Sequence, residues 1–99
     1  MVTEIATITI DPAQAAAFEL AVGKAAPHFR TAEGCHGFTL DRCIEEPSRY
    51  FLRVEWESIN HHMVVFRASE GFQKWRALAG PFFAAPPVVE HSARTFTGF

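Results

Sequence analysis

Two alternating runs separated by a tight turn constrain this chain more than any other feature. From Cys35 to Glu46, His36, Phe38, Leu40, Arg42 and Ile44 fall on one side, and Cys35, Gly37, Thr39, Asp41 and Cys43 on the other. From Arg49 to Glu57, Tyr50, Leu52, Val54 and Trp56 alternate with Phe51, Arg53, Glu55 and Glu57. A period of two is that of a strand. Glu46-Pro47-Ser48 lies between the runs, and so short a turn joins antiparallel neighbours. The middle of the chain is predicted to be a β-hairpin.

The flanks supply the remaining elements. Residues 2–10 mix Val2, Ile5, Ile8 and Ile10 with Thr3, Thr7 and Thr9, a β-branched composition that predicts a first strand. Asp11-Pro12 is a helix start, with Asp11 as cap, Pro12 in the first turn and Gln14 placed for a capping box. Phe18, Val22, Ala25 and Phe29 then recur at helical spacing, and Pro27 is expected to end or kink that helix. Ser58 caps a predicted helix over about 59–67, with Ile59, His62, Met63 and Phe66 inward and His61 on the flank. Ser69-Glu70 opens another over 70–79, placing Phe72, Trp75, Arg76 and Ala79 on one face. Gly80-Pro81 stops it, and the prolines of "PFFAAPP" forbid regular helix. Val88–Phe99 is expected to be a last strand, with His91 facing the same way as Val89, Ala93 and Thr95.

The order β-α-β-β-α(α)-β predicts an α+β domain over 1–99. It is the ferredoxin-like split β-α-β, a four-stranded antiparallel sheet with helices on one face. Apolar residues on both faces of the hairpin predict that a second copy covers the other side, giving a homodimer. A chain of 99 residues buries a modest share of its surface, so a partner would also help its stability.

Composition narrows the function classes. The net charge is −2 and the nine basic residues are scattered, which argues against nucleic acid as a partner. The N-terminus lacks a basic n-region and a continuous apolar stretch, so neither a leader nor a membrane span is expected, and the cytoplasm is the default location. Cys35 and Cys43, if on one strand, lie about 26 Å apart at ~3.3 Å per residue, too far for an internal disulfide. Ten phenylalanines, two tryptophans and a tyrosine exceed what a small core needs and point to a pocket or interface.

The candidate chemistry gathers around "HHMVVFRASEGFQKW". His62 on an inward face is a candidate acid/base; the bland alternative is a core-edge histidine bonded to a carbonyl. His91, entering the last strand after Pro86-Pro87, is a second candidate catalytic residue or an interface histidine. Phe66, Phe72, Trp75, Phe82 and Phe83 could wall a substrate chamber or simply form core. Arg67 and Arg76 could hold a phenolate or carboxylate, or be solvated helix charge. His61 and His62 point about 100° apart and cannot share an ion, so no metal is expected. His28 reads as solvent-facing, His36 as a turn residue, and Glu55 and Glu57 as edge residues.

Several stretches together resemble the antibiotic biosynthesis monooxygenase family of small dimeric α+β barrels. They are "EGCHGF", "VEWESI", "FRASEGFQKW" and "PFFAAPPVVEH", in that order along nearly the whole chain. The resemblance implies a pocket between sheet and helices in each protomer. It also implies a monooxygenase that uses no flavin, haem or metal and acts on an aromatic polyphenol or quinol-like small molecule with dioxygen. Haem-degrading relatives carry Asn in the first strand, a Trp before the Ser-x-x-Phe turn and a ligating His beyond it. Here no Asn lies in 1–10, and Phe66 and Arg76 stand at the other two places. The alternatives are a non-catalytic dimeric binding module of the same fold and, more remotely, a haem-binding relative.

Overall fold

The computed structural model spans Met1–Phe99. The elements are β1 (Val2–Thr9), α1 (Ala15–Arg30), β2 (Cys35–Arg42), β3 (Arg49–Trp56), a π-helical segment (His61–Phe66), α2 (Glu70–Ala79) and β4 (Val88–Ser92). The strands form one antiparallel sheet in the order β2-β3-β1-β4, the ferredoxin-like arrangement, with the helices on one face. No helix is long and apolar enough to cross a membrane.

In β1, Glu4, Ala6 and Ile8 turn into the core, with Ile10 just beyond them. Ile5, on the odd side, faces outward with Thr3 and Thr7. Asp11 caps as expected: its Oδ1 accepts from the Ala13 N–H at 3.0 Å and opens a 3₁₀ turn over Pro12–Gln14. Gln14 makes no capping bond of its own. Pro27 does not end α1, which continues to Arg30. The last turn holds Phe29, only 1% exposed and packed on Phe38, Phe66 and Trp75. Burial of a whole phenyl ring offsets the one hydrogen bond a proline removes.

The hairpin forms, with Leu40 opposite Leu52 and Phe38 opposite Val54. A bulge at His36 changes the expected division of β2. Cys35 sits opposite Trp56 and Gly37 opposite Glu55, so Cys35 packs against the core with Phe38 and exposed His36 is the extra residue. β2 also ends at Arg42, short of Glu46, and Ile44 is exposed. The chain turns there because Arg42 Nε donates to the Pro47 carbonyl and the Cys43 N–H to the Arg49 carbonyl. Both cysteines are free.

Ser58 accepts from the His61 N–H, as a cap should. The following turn is π rather than α: the Arg67 N–H reaches the His62 carbonyl five residues back. The wider turn keeps His62 and Phe66 buried but leaves Ile59 and Met63, expected inside, on the surface. Ser69 caps α2 by accepting from the Phe72 N–H. β4 stops at Ser92 instead of running to Phe99. Its partner runs out: Ser92 lies opposite Thr3, and β1 begins at Val2.

The core lies between the sheet and α1 and α2, around Trp56, Tyr50, Phe18 and Phe29. The outer face is mixed. Ile5, Phe51 and Val88 stand among threonines and charges, and the Thr3 hydroxyl donates to the Glu55 carboxylate at 2.8 Å.

Candidate active site

Four side chains converge where β1, β3, β4 and the π segment meet. Glu4 points into the core and is 5% exposed, an unusual place for a carboxylate. Trp56 Nε1–H donates to its Oε1 at 2.9 Å, and His62 Nε2 lies 3.2 Å from the same oxygen. On the other side of the ring, His62 Nδ1 is 2.8 Å from His91 Nε2. The Trp56 indole stacks flat on His62, with centroids 5.3 Å apart and planes 14° from parallel.

The network assigns the protons. Glu4 Oε1, as a carboxylate oxygen, only accepts. His62 therefore carries its hydrogen on Nε2, which faces Glu4 Oε1 3.2 Å away, and Nδ1 accepts from the His91 Nε2–H. The result is a directed chain, His91 to His62 to Glu4. Because His62 bridges its neighbours with opposite sides of one ring, the groups do not converge on a common point, and no three His, Cys, Asp or Glu side chains are grouped to hold a metal ion.

Burial sets the charges. It pushes the Glu4 carboxyl up to about 7, with the Trp56 N–H and the Arg67 charge pulling the other way. It pushes His62 down to about 4, helped by the positive charges of His91 and Arg67. The two shifts agree, since a dry interior penalises charge on either partner. Glu4, not His62, is thus the group that changes charge near neutral pH.

A cavity of about 370 Å³ adjoins this cluster. Ala6, Ile8, Leu52 and Val89 face it from the sheet, and Phe66, Phe72, Trp75 and Phe83 from the helical side. Glu4 and His62 are part of its wall, and Arg67 and Arg76, both exposed, stand at its opening with Pro86 and Pro87. Arg76 lies 5.9 Å from the centre of the Phe72 ring. Two other hollows, of about 540 and 570 Å³, are surface grooves beside α1 that no buried titratable group lines.

Of the residues singled out in the sequence, His62, Phe66, Arg67, Phe72, Trp75, Arg76 and Phe83 meet at the cavity. His91 is not on its wall but backs His62. Phe82 lies elsewhere: the 3₁₀ turn Gly80–Phe82 sends it against Phe18, centroids 5.8 Å apart. His61 bonds Ser58 instead of joining the cluster, and His28, expected in solvent, is half-buried beside the groove between α1 and α2. Sequence reasoning passed over Glu4. The alternation that buries Ala6 and Ile8 was the signal, because it puts Glu4 on the same side.

Fold and site define a small ferredoxin-like domain with an aromatic chamber served by a buried carboxylate–imidazole chain. The profile of the family "Antibiotic biosynthesis monooxygenase" matches residues 1–78, and the chain belongs to that family. The uncharacterised protein YczJ of Bacillus subtilis (strain 168) is 38% identical over 91 residues, 92% of this chain and 96% of that protein. A Bordetella bronchiseptica protein, provisionally named an antibiotic biosynthesis monooxygenase, is 48% identical. Its crystal structure superposes with a TM-score of 0.93 over 96% of this chain and 97% of that one. A variant of SnoaB, a cofactor-independent oxygenase from Streptomyces nogalater, shares the fold at a TM-score of 0.78 and 19% identity, covering 98% and 95% of the two chains.

Proposed function

We propose that the protein is a cofactor-independent monooxygenase of a hydroxyarene, a polyphenol or quinol-like molecule, with dioxygen as co-substrate. The observation that carries this reading is a neutral imidazole, 3.2 Å from a buried carboxylate, on the wall of an aromatic cavity of about 370 Å³. Such a volume and lining suit a small apolar ring system. The buried chain removes the hydroxyl proton, and Arg67 and Arg76 stand where the resulting negative charge needs an opposite one.

The chemistry then belongs to the substrate. The aryloxide passes one electron to dioxygen, and the aryloxyl radical and superoxide combine to form a ring C–O bond. The peroxide takes back the stored proton. Loss of the ring C–H proton with O–O cleavage leaves a quinone carbonyl and hydroxide, which that proton converts to water. One oxygen atom ends on carbon and the other in water, so no external reductant enters. The chamber's part is to hold the ring and exclude solvent from the radical pair.

We also propose that a second copy covers the outer sheet face around Ile5, Phe51 and Val88.

The test is oxygen uptake by metal-free protein across a panel of hydroquinones and polyphenols. Uptake above the autoxidation blank for at least one compound, matched by quinone formation, is expected. If every compound stays at the blank, the chain is a binding module and the oxygenase reading is lost.

A further inference from the structure

We propose that Glu4 Oε2 is the atom that takes the substrate's hydroxyl proton, and that His62 is the positioning residue behind it. This rests on the hydroxyarene reading and assigns its first step to one atom. Both ring nitrogens of His62 are already engaged, by Glu4 and by His91, so the ring has no lone pair to offer a substrate. His91 is off the cavity wall, and Trp56 Nε1 only donates. Glu4 Oε1 is occupied by Trp56 and His62. Oε2 makes no hydrogen bond, yet it is not among the sealed, partnerless polar atoms, of which the molecule has only Arg49 Nε. Since Glu4 belongs to the cavity wall, that oxygen is the cluster's one uncommitted acceptor open to the hollow.

The step balances. The substrate O–H bond breaks, an O–H bond forms on Oε2, and the electron pair stays on the aryloxide. One negative charge moves from carboxylate to substrate, toward Arg67 and Arg76. The Trp56 and His62 donors keep their place on Oε1 throughout, so the carboxyl accepts the proton without reorienting. The charged or titratable groups around Glu4 are His91 on β4, Cys35 on β2, His62 and Arg67 on and after the π segment, and Arg76 across the hollow.

The experiment is anaerobic titration of the protein with 4-nitrocatechol, read by the phenolate absorption band and by infrared difference spectroscopy. Wild-type protein should bind the compound as phenolate and gain the carbonyl band of a protonated carboxylic acid. Glu4→Gln should lose both signals. Glu4→Asp, which shifts the acid band, replaces Glu4→Gln if that variant does not fold. In turnover, Glu4→Gln should lower kcat about 100-fold or more with KM nearly unchanged, the loss expected of a general base. His62→Gln should move the acid limb of the rate profile to higher pH while the plateau falls less than about tenfold.

Phenolate and an acid band that persist in Glu4→Gln overturn this inference alone. Failure of 4-nitrocatechol to bind overturns the hydroxyarene reading and this inference with it. Correct spectra without oxygen uptake overturn the oxygenase chemistry and leave the proton acceptor standing.

Discussion

Glu4 and His91 are directly opposite one another in the β1–β4 ladder, and His62 reaches across to both, 2.8 Å from His91 and 3.2 Å from Glu4. Strand pairing alone fixes two members of the chain side by side on the core face. The third comes from a helical turn whose geometry is not α. A rigid ladder thus sets the spacing of the acid and the distal imidazole, and the helix only has to insert one ring between them.

The first prediction concerns stability against pH. Glu4 has a raised pKa, from 4.5 to about 7, so its contribution is fully present below 4.5 and is lost as pH rises toward 7. His62 has a lowered pKa, from 6.5 to about 4, so its contribution is present above 6.5 and is lost as pH falls toward 4. Between 4.5 and 6.5 the slopes oppose, and the urea midpoint of wild-type protein should be nearly flat. Glu4→Gln should lose stability on acidification through that window and His62→Gln should gain it, each by at most about 1.4 kcal/mol per pH unit. Parallel profiles for all three proteins would show that the two groups are not linked to folding in this way.

Trp56→Phe keeps the ring that stacks on His62 but removes the donor to Glu4 Oε1. The variant should lose about 1–3 kcal/mol of unfolding free energy. Its Glu4 should titrate at higher pH, measurable by carbon NMR of the carboxyl. An unchanged Glu4 titration would mean that the indole N–H does not stabilise the carboxylate.

Gly34 has φ +77°, and a Cβ there would lie 2.5 Å from the His61 ring. Gly34→Ala should therefore cost more than the roughly 1–2 kcal/mol of the left-handed backbone alone. Adding His61→Ala should recover the part due to the imidazole ring, while the His61 Cβ, 2.9 Å away, stays in close approach and the backbone part remains. Thermal melts of the single and double variants separate the two. A double variant no more stable than Gly34→Ala would contradict the close approach.

Ala6 faces the cavity from the middle of β1. Ala6→Leu places a branched side chain in the hollow. Affinity for 4-nitrocatechol should fall at least about tenfold, equivalent to 1.4 kcal/mol, while the circular dichroism spectrum is retained. Unimpaired binding would place the ligand elsewhere.

The outer sheet face gives a separate test. The 11.1 kDa chain should sediment as twice that mass, and Phe51→Glu or Ile5→Lys should return it to the single mass. A wild-type monomer at micromolar concentration would remove the second copy from the proposal.

The hairpin, the face of α1 and the cap of α2 were legible because each rests on a local rule: period two, helical spacing, or a serine before an acidic residue. Three kinds of information were not local. His36 is an inserted residue that only the partner strand reveals, so the two sides of β2 were partly interchanged at Cys35. The end of β4 depends on where β1 begins, a distant part of the chain. Glu4 was missed because charge normally argues against burial. Its partners, Trp56 and His62, lie more than fifty residues away and become neighbours only in the fold. The aromatic wall was readable as a group, but Phe82 and Phe83, adjacent in sequence, part company at a 3₁₀ turn that composition does not announce.

The i-to-i+5 bond between His62 and Arg67 also bears on how relatives could diverge. A π turn carries one residue more than the α turn it replaces, so losing a single codon between these positions would tighten the coil and swing the downstream side chains away from the imidazole. Sheet, core and outward shape would survive such a deletion while His62 lost its place beside Glu4.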